Sequence, residues 1–221
     1  MIRLGIIYCS FASEDYIDKS LSPWLEFDNV VISATSCLFE NFEPQDNSKN
    51  LELLEQYKKN GKIDSIFTSE KPLKESEARD LPLQRLLELN CDWILLCDSD
   101  EIWSKEEIIR LFKFLQTDEY NCFFKVEYKN LVFDDKTYIT GFDPARVFKV
   151  NYDNWNIKYK LHSCINDNDF LYQSENGSLC HDKSFLYKII KKEICNPQHF
   201  SWNDKNRSKK KVEYQKKRGW F

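Results

Sequence analysis

A chain of 221 residues with 42% hydrophobic and 15% aromatic side chains is long enough for one substantial domain, which when compact buries roughly 70% of its unfolded surface. Its long apolar runs exclude the disordered class despite 31% charged residues. The formal net charge of −4 gives no global reason to expect a nucleic-acid partner, and no run approaches the ~20 apolar residues of a membrane span.

The eight cysteines, Cys9, Cys37, Cys91, Cys97, Cys122, Cys164, Cys180 and Cys195, form no CxxC pair. Several sit inside apolar strands, so they read as buried thiols rather than as a disulfide framework or a zinc site. The apolar stretch at residues 1–8 is too short for a signal peptide and reads as a first strand, which makes a cytoplasmic location the default expectation. The sequons at Asn176 and Asn206 read as chance occurrences in polar loops.

In chain order, residues 4–9 form an apolar strand, and Ile17, Leu21, Trp24 and Leu25 follow at helical spacing. Residues 30–34 make a β-branched strand. Leu51, Leu54 and Tyr57 line a helix that stops near Asn60-Gly61. Residues 63–68 form a third strand, and Asp80 caps a helix with Pro82 in its first turn, closed by Asn90. The strand at 93–97 has no polar alternation, as expected of a central parallel strand covered on both faces.

That strand runs directly into Asp98-Ser99-Asp100-Glu101, before a capping box at Ser104-Lys105-Glu106-Glu107 and a helix carrying Ile108, Leu111, Phe112 and Leu115. After Asn121 short strands follow at 122–128, 131–133, 138–140 and 146–150, then a helix at 184–194 and a basic stretch at 205–218. Alternation of strand and helix in the first half predicts a sheet with helices on its faces.

Ligands in open α/β sheets bind at the carboxyl ends of strands, where Asp98 and Asp100 fall. Two carboxylates one residue apart can turn toward a hard divalent cation, Mg²⁺ or Mn²⁺, that shares its shell with a substrate diphosphate. The same carboxylates can also serve as solvated cap residues of the following turn.

The residues 77–83 and 92–101, Glu-Ala-Arg-Asp-Leu-Pro-Leu and Asp-Trp-Ile-Leu-Leu-Cys-Asp-Ser-Asp-Glu, resemble the core of family 2 glycosyltransferases with the GT-A fold. There an Arg-Asn pair opens a helix and a strand delivers the metal-binding DxD; here Arg79 matches and Asp80 replaces the Asn. The resemblance is specific across 77–103 and covers the organisation of roughly the first 120 residues.

It implies an α/β, Rossmann-like nucleotide-diphospho-sugar transferase fold with a mixed central sheet flanked by helices. The whole chain, 1–221, would be a single GT-A domain. Residues 1–120 would bind the nucleotide-sugar, 121–200 would form the acceptor half, and 201–221 a basic tail.

By position, Arg79 would contact donor phosphates, Asp98 the ribose or the metal, Ser99 the donor beside it, and Asp100 the metal. Cys9, Ser10 and Phe11 would line the nucleotide pocket. The stretch 141–149 is similar to an Arg-x-Phe strand of the family, and His199 is the choice for a further metal ligand, with His162 and His181 as rivals.

The implied reaction is transfer of a hexosyl group from a nucleotide-sugar, UDP-sugar as first choice, to a glycan or other hydroxyl acceptor, with Mn²⁺ or Mg²⁺ and inversion. An inverting transfer needs a carboxylate base. Asp143 is the choice, with Asp134, Asp135 and Glu127 behind it, and each also reads as a turn carboxylate.

Trp155, Tyr159, Trp202 and Trp220 suit a sugar platform or the core. The basic tail suits a solvated face, diphosphate closure or peripheral membrane contact. Two other readings stay open. A nucleotidyltransferase would carry a glycine-rich loop, and residues 9–15 contain no glycine. A noncatalytic sugar- or nucleic-acid-binding protein on the same fold would bind through the tail.

Overall fold

The computed structural model describes residues 2–40, 42–117, 123–132, 137–139, 144–152, 155–162, 169–174, 179–181, 188–202, 209 and 213. Of these, residues 123, 151–188 and 201–202 are described by backbone path alone. The first half alternates β1 (Leu4–Cys9), α1 (Glu14–Leu21), β2 (Val30–Thr35), α2 (Ser48–Lys59), β3 (Ser65–Phe67), α3 (Glu75–Glu88), β4 (Trp93–Asp98), β5 (Glu101–Ile102) and α4 (Lys105–Thr117).

Strands dominate the rest: β6 (Phe123–Val126), β7 (Lys129–Val132), β8 (Tyr138–Ile139), β9 (Ala145–Lys149), β10 (Asn151–Tyr152), β11 (Trp155–His162), β12 (Asp169–Ser174), β13 (Leu179–His181), β14 (Lys188–Ile190) and β15 (Gln198–Trp202). The result is a mixed central sheet flanked by helices, the architecture expected from the alternation.

The central sheet runs in the order β14-β6-β9-β4-β1-β2-β3. Strands β3, β2, β1 and β4 are parallel, and β9 is antiparallel to both β4 and β6. From β1 the chain moves outward through β2 and β3, then returns to place β4 on the other side of β1. The strand order therefore reverses between β1 and β4, where open sheets form their binding crevice.

Period-2 alternation sorts the central strands onto two cores. Leu4, Ile6 and Tyr8 of β1 join Trp93, Leu95 and Cys97 of β4 against Ile17 and Leu21 of α1, Leu54 of α2 and Ile108, Leu111 and Leu115 of α4. Ile7 and Cys9 join Ile94 and Leu96 against Leu83 and Leu86 of α3. Both faces are covered, which is why β4 shows no polar alternation. Gly5 permits the approach of α3, since a Cβ there would meet Cys91 Sγ at 3.0 Å and Leu86 Cδ1 at 3.1 Å.

Several elements differ from the sequence expectation. Helix α3 begins at Glu75, not after Asp80, because the Glu77 carboxylate accepts the Lys74 N–H at 3.1 Å and caps an earlier turn. Arg79 is therefore inside the helix, and Pro82 lies in its interior, where only the Ala78 carbonyl loses its partner.

The first helix stops at Leu21, and Pro23 starts a separate 3₁₀ turn, Trp24–Glu26. The expected helix at 184–194 is corrected by β14, in which buried Ile190 extends the sheet edge beside Val126; the β-branched pair Ile189-Ile190 suits a strand. The capping box at Ser104 forms both halves, Ser104 N–H to Glu107 Oε2 at 2.8 Å and Glu107 N–H to Ser104 Oγ at 3.3 Å. Cys9, Cys37, Cys91, Cys97 and Cys195 are free, buried thiols.

Candidate functional site

The reversal between β1 and β4 places Cys9 directly beside Asp98 in the register. The Ser99 N–H donates to the Cys9 carbonyl at 2.8 Å and the Ser10 N–H to the Thr35 carbonyl at 3.0 Å, so the strand ends stay tied as the loops begin. Two polar clusters grow from these ends.

The neutral cluster surrounds the first loop. Asn50 on α2 is fully buried and uses its whole amide. Its Oδ1 accepts from Ser10 Oγ at 2.6 Å and Ser13 N–H at 3.2 Å, while its Nδ2 donates to the Ser10 carbonyl at 3.3 Å and Ser36 Oγ at 2.9 Å. Asn47 Oδ1 accepts the Ala12 N–H at 2.8 Å. Ala12 has φ +46°, a left-handed conformation that costs a residue with a Cβ, and the Asn47 contact helps hold it.

The charged cluster surrounds the end of β4. Arg79 Nη2 lies 2.7 Å from Glu75 Oε1 and 3.4 Å from Asp98 Oδ1. Arg146 Nη2, from β9, lies 3.0 Å from Asp98 Oδ2 and 2.5 Å from Glu101 Oε1. The Tyr128 hydroxyl donates to Glu101 Oε2 at 2.8 Å. Both arginines are about nine-tenths buried and Glu101 is wholly so, so these ions are paired as buried charges must be.

Burial acts to raise the Asp98 carboxyl, but the Arg146 and Arg79 guanidiniums outweigh it and hold the group below its usual range. Glu101 goes the other way: burial, joined by Asp98 and Asp100, pushes it up to about 7 against the pull of Arg146. Burial likewise pushes the Cys9 thiol up to about 12, although Arg79 opposes it. The Nε of Arg79 and of Arg146 is buried without an acceptor among the described residues.

Asp100 and His199 meet at the far side of the turn. Strand β5 pairs antiparallel with β15, which sets His199 opposite Glu101, and the Phe200 N–H donates to the Asp100 carbonyl at 2.9 Å. His199 Nε2 is 3.8 Å from Asp100 Oδ1, and both side chains are buried. Asn130 Nδ2 donates to the carbonyls of Tyr128 and Ile139, at 3.3 and 3.4 Å, which fixes the amide with Oδ1 toward the imidazole. His199 Nδ1 is 2.7 Å from that oxygen and must carry the hydrogen. The other ring nitrogen, Nε2, faces Asp100.

Among the expected site residues, the structure brings Cys9, Arg79, Asp98, Ser99, Asp100 and His199 together at the carboxyl ends of β1 and β4, with Ser10 and Phe11 on the loop after β1. Asp98, expected at the ribose or the metal, lies between the guanidiniums of Arg79 and Arg146. Asp143, Asp134 and Asp135 lie outside the described residues, as do the side chains of His162, His181, Trp155, Tyr159 and Trp202, and all of Trp220. Lys209 is the single member of the basic stretch 205–218 that carries a described position besides Glu213 between its lysines.

No protein-family model matches the chain, and no curated protein matches it. Among solved structures it is similar to S. aureus TarS 1-349, at a TM-score of 0.47 and 15% identity over 62% of this chain and 38% of that one. The same protein in complex with UDP-GlcNAc aligns at 0.46 and 15% identity, over 62% and 37%. The mannosyltransferase PcManGT from Pyrobaculum calidifontis, in complex with GDP-Man and Mn²⁺, aligns at 0.45 and 10% identity, over 67% and 44%. The chain spans less than half the length of each of these proteins.

Sequence reasoning assigned no role to Glu101, Tyr128, Asn130, Arg146, Asn47 or Asn50. Glu101 was visible as the residue after the DxD, and Arg146 as the arginine of the Arg-x-Phe strand. Nothing in the sequence pattern joins Asn130 to His199 or Asn50 to Ser10, because these pairs arise from pairing of strands and helices distant in the chain.

Proposed function

We propose that the chain is a metal-dependent GT-A glycosyltransferase of the family 2 type, which moves a sugar from a nucleotide-sugar, a UDP-sugar as first choice, to a hydroxyl acceptor with inversion. The observation that carries this reading is the juxtaposition of Asp100 and His199 at the carboxyl end of β4, where the strand order reverses. A carboxylate oxygen faces an imidazole nitrogen across 3.8 Å, too far for a hydrogen bond between them.

The donor set fits a divalent cation. His199 is oriented through its other nitrogen, as metal-bound histidines are, and its Nε2 and Asp100 supply one nitrogen and one oxygen. Among the described residues no group of three or more His, Cys, Asp or Glu side chains is gathered for a metal, so the other positions of a bound ion would fall to water and substrate phosphates. A bound Mn²⁺ or Mg²⁺ would offset charge on the departing nucleoside diphosphate.

The chain's own residues supply the rest of the reading. Arg79 and Arg146 are charge-paired with Glu75, Asp98 and Glu101, and the Nε donors left without an acceptor among the described residues suit a further oxygen acceptor such as a diphosphate. Cys9, Ser10 and Phe11 line the nucleotide side, held in place by Asn50, and Asp98 with Ser99 closes it from β4. Asp143, just before β9, is the base that takes the acceptor proton. Residues 1–120 serve the donor and 121–200 the acceptor, within one domain, and 201–221 form the basic tail.

A thermal-shift screen against UDP-, GDP-, CMP- and dTDP-sugars, each with and without Mn²⁺, tests the reading. Stabilisation by one nucleotide class that depends on the metal is expected from linkage of binding to folding. A well-folded sample that responds to no nucleotide would exclude the proposed donor site.

A further inference from the structure

The turn at the end of β4 holds three carboxylates within four residues, Asp98, Asp100 and Glu101. A divalent cation bound by Asp100 would ordinarily attract its acidic neighbours as well, since hard cations gain affinity with each carboxylate added. One side chain opposes this. Arg146 Nη2 sits between Asp98 Oδ2 at 3.0 Å and Glu101 Oε1 at 2.5 Å, and it is 7% exposed.

The arrangement is rigid on each side. Arg146 belongs to β9, whose antiparallel register with β4 pairs Leu95 with Val147, so Arg146 comes next in line toward the carboxyl end of β4. Glu101 is fixed from its other oxygen by the Tyr128 hydroxyl at 2.8 Å, and Tyr128 is fully buried. Asp98 is fixed from its other oxygen by Arg79 at 3.4 Å. Each acidic neighbour of Asp100 is thus engaged on both oxygens, and both share Arg146.

We propose that Arg146 is a positioning residue that withholds the carboxylates of Asp98 and Glu101 from a bound cation, leaving Asp100 as the carboxylate of the turn that shares it with His199. The proposal rests on the metal site inferred above. Its functional sense is that a cation held by two protein groups keeps more open positions for a diphosphate, and more positive charge, than one held by three carboxylates and the imidazole.

The test is a titration of the full chain with Mn²⁺ alone, in which free Mn²⁺ is followed by its electron paramagnetic resonance signal and folding is checked by melting. Arg146→Gln should bind Mn²⁺ about tenfold more tightly than the unaltered chain, as added carboxylates enter the shell. Arg146→Lys, which keeps the charge, should stay within about twofold of the unaltered chain. Combining Arg146→Gln with Asp98→Asn should reverse most of the gain.

An arginine that only supports the fold would give weaker binding in Arg146→Gln, and that result overturns the proposal. Should Arg146→Gln fail to fold, Asp98→Asn against Asp100→Asn decides. The first should lower Mn²⁺ affinity by no more than about threefold and the second by at least about thirtyfold, and equal losses overturn the proposal. Absence of Mn²⁺ binding by the unaltered chain, with and without UDP, overturns the metal reading itself. Binding with the wrong order of variants overturns only the role of Arg146.

Discussion

The two polar clusters at the mouth of the sheet lie a few residues apart and are built on different physics. Around Ser10, the neutral cluster satisfies each hydrogen-bonding atom of Asn50 within the protein, so its work is to fix a loop that includes left-handed Ala12. Around Asp98, the charged cluster joins buried arginines to carboxylates yet leaves two guanidinium Nε donors without acceptors among the described residues. A closed network specifies shape. An open one retains capacity for a ligand.

Asp100 gives the largest expected effect, because it is the carboxylate proposed to hold the cation with His199. Asp100→Ala should abolish metal-dependent release of nucleoside diphosphate from the donor while the melting temperature stays close to that of the unaltered chain. Arg146→Met should destabilise the fold by about 3–5 kcal/mol, the cost of removing one partner from a buried ion network, measured by urea unfolding. Asn50→Ala should cost about 1–3 kcal/mol, through buried groups of Ser10, Ser13 and Ser36 left without partners, and should raise hydrogen exchange in residues 10–13.

A smaller effect follows from Glu101. The folded chain holds this proton up to about pH 7, against an ordinary value of 4.5. Its contribution to stability is fully present below the unfolded value and is lost as pH rises through about 7. Glu101→Gln should flatten that decline, read as unfolding free energy at about pH 5 and about pH 8.

The least effect is expected at the surface pair of Arg85 with Asp64, bidentate at 2.7 and 3.1 Å. Water screens it, and Arg85→Ala should leave donor turnover unchanged. A large loss there would blur the distinction between surface and crevice charges.

The central strands and the acidic turn were legible because local pattern determines them: the unbroken run at Trp93 to Cys97 reports a strand covered on both faces. The start of α3 was misplaced because Asp80-Leu81-Pro82 has the composition of a helix opening, while the cap is at Lys74, six residues before Asp80, and is closed by the Glu77 carboxylate. The strand β14 was read as a helix because its place is set by pairing with β6, more than sixty residues earlier. In the site, Asp98, Asp100 and Arg79 were legible as motif residues. The partition among them was not, because it depends on Arg146 and Glu101, which β9 and β5 bring into the crevice.

Nucleoside diphosphate release from UDP-sugars, with and without Mn²⁺, for the unaltered chain and Asp100→Ala, tests the central claim most directly. The account predicts release that requires both Mn²⁺ and Asp100. Release that persists in Asp100→Ala, or that is indifferent to the metal, would contradict it.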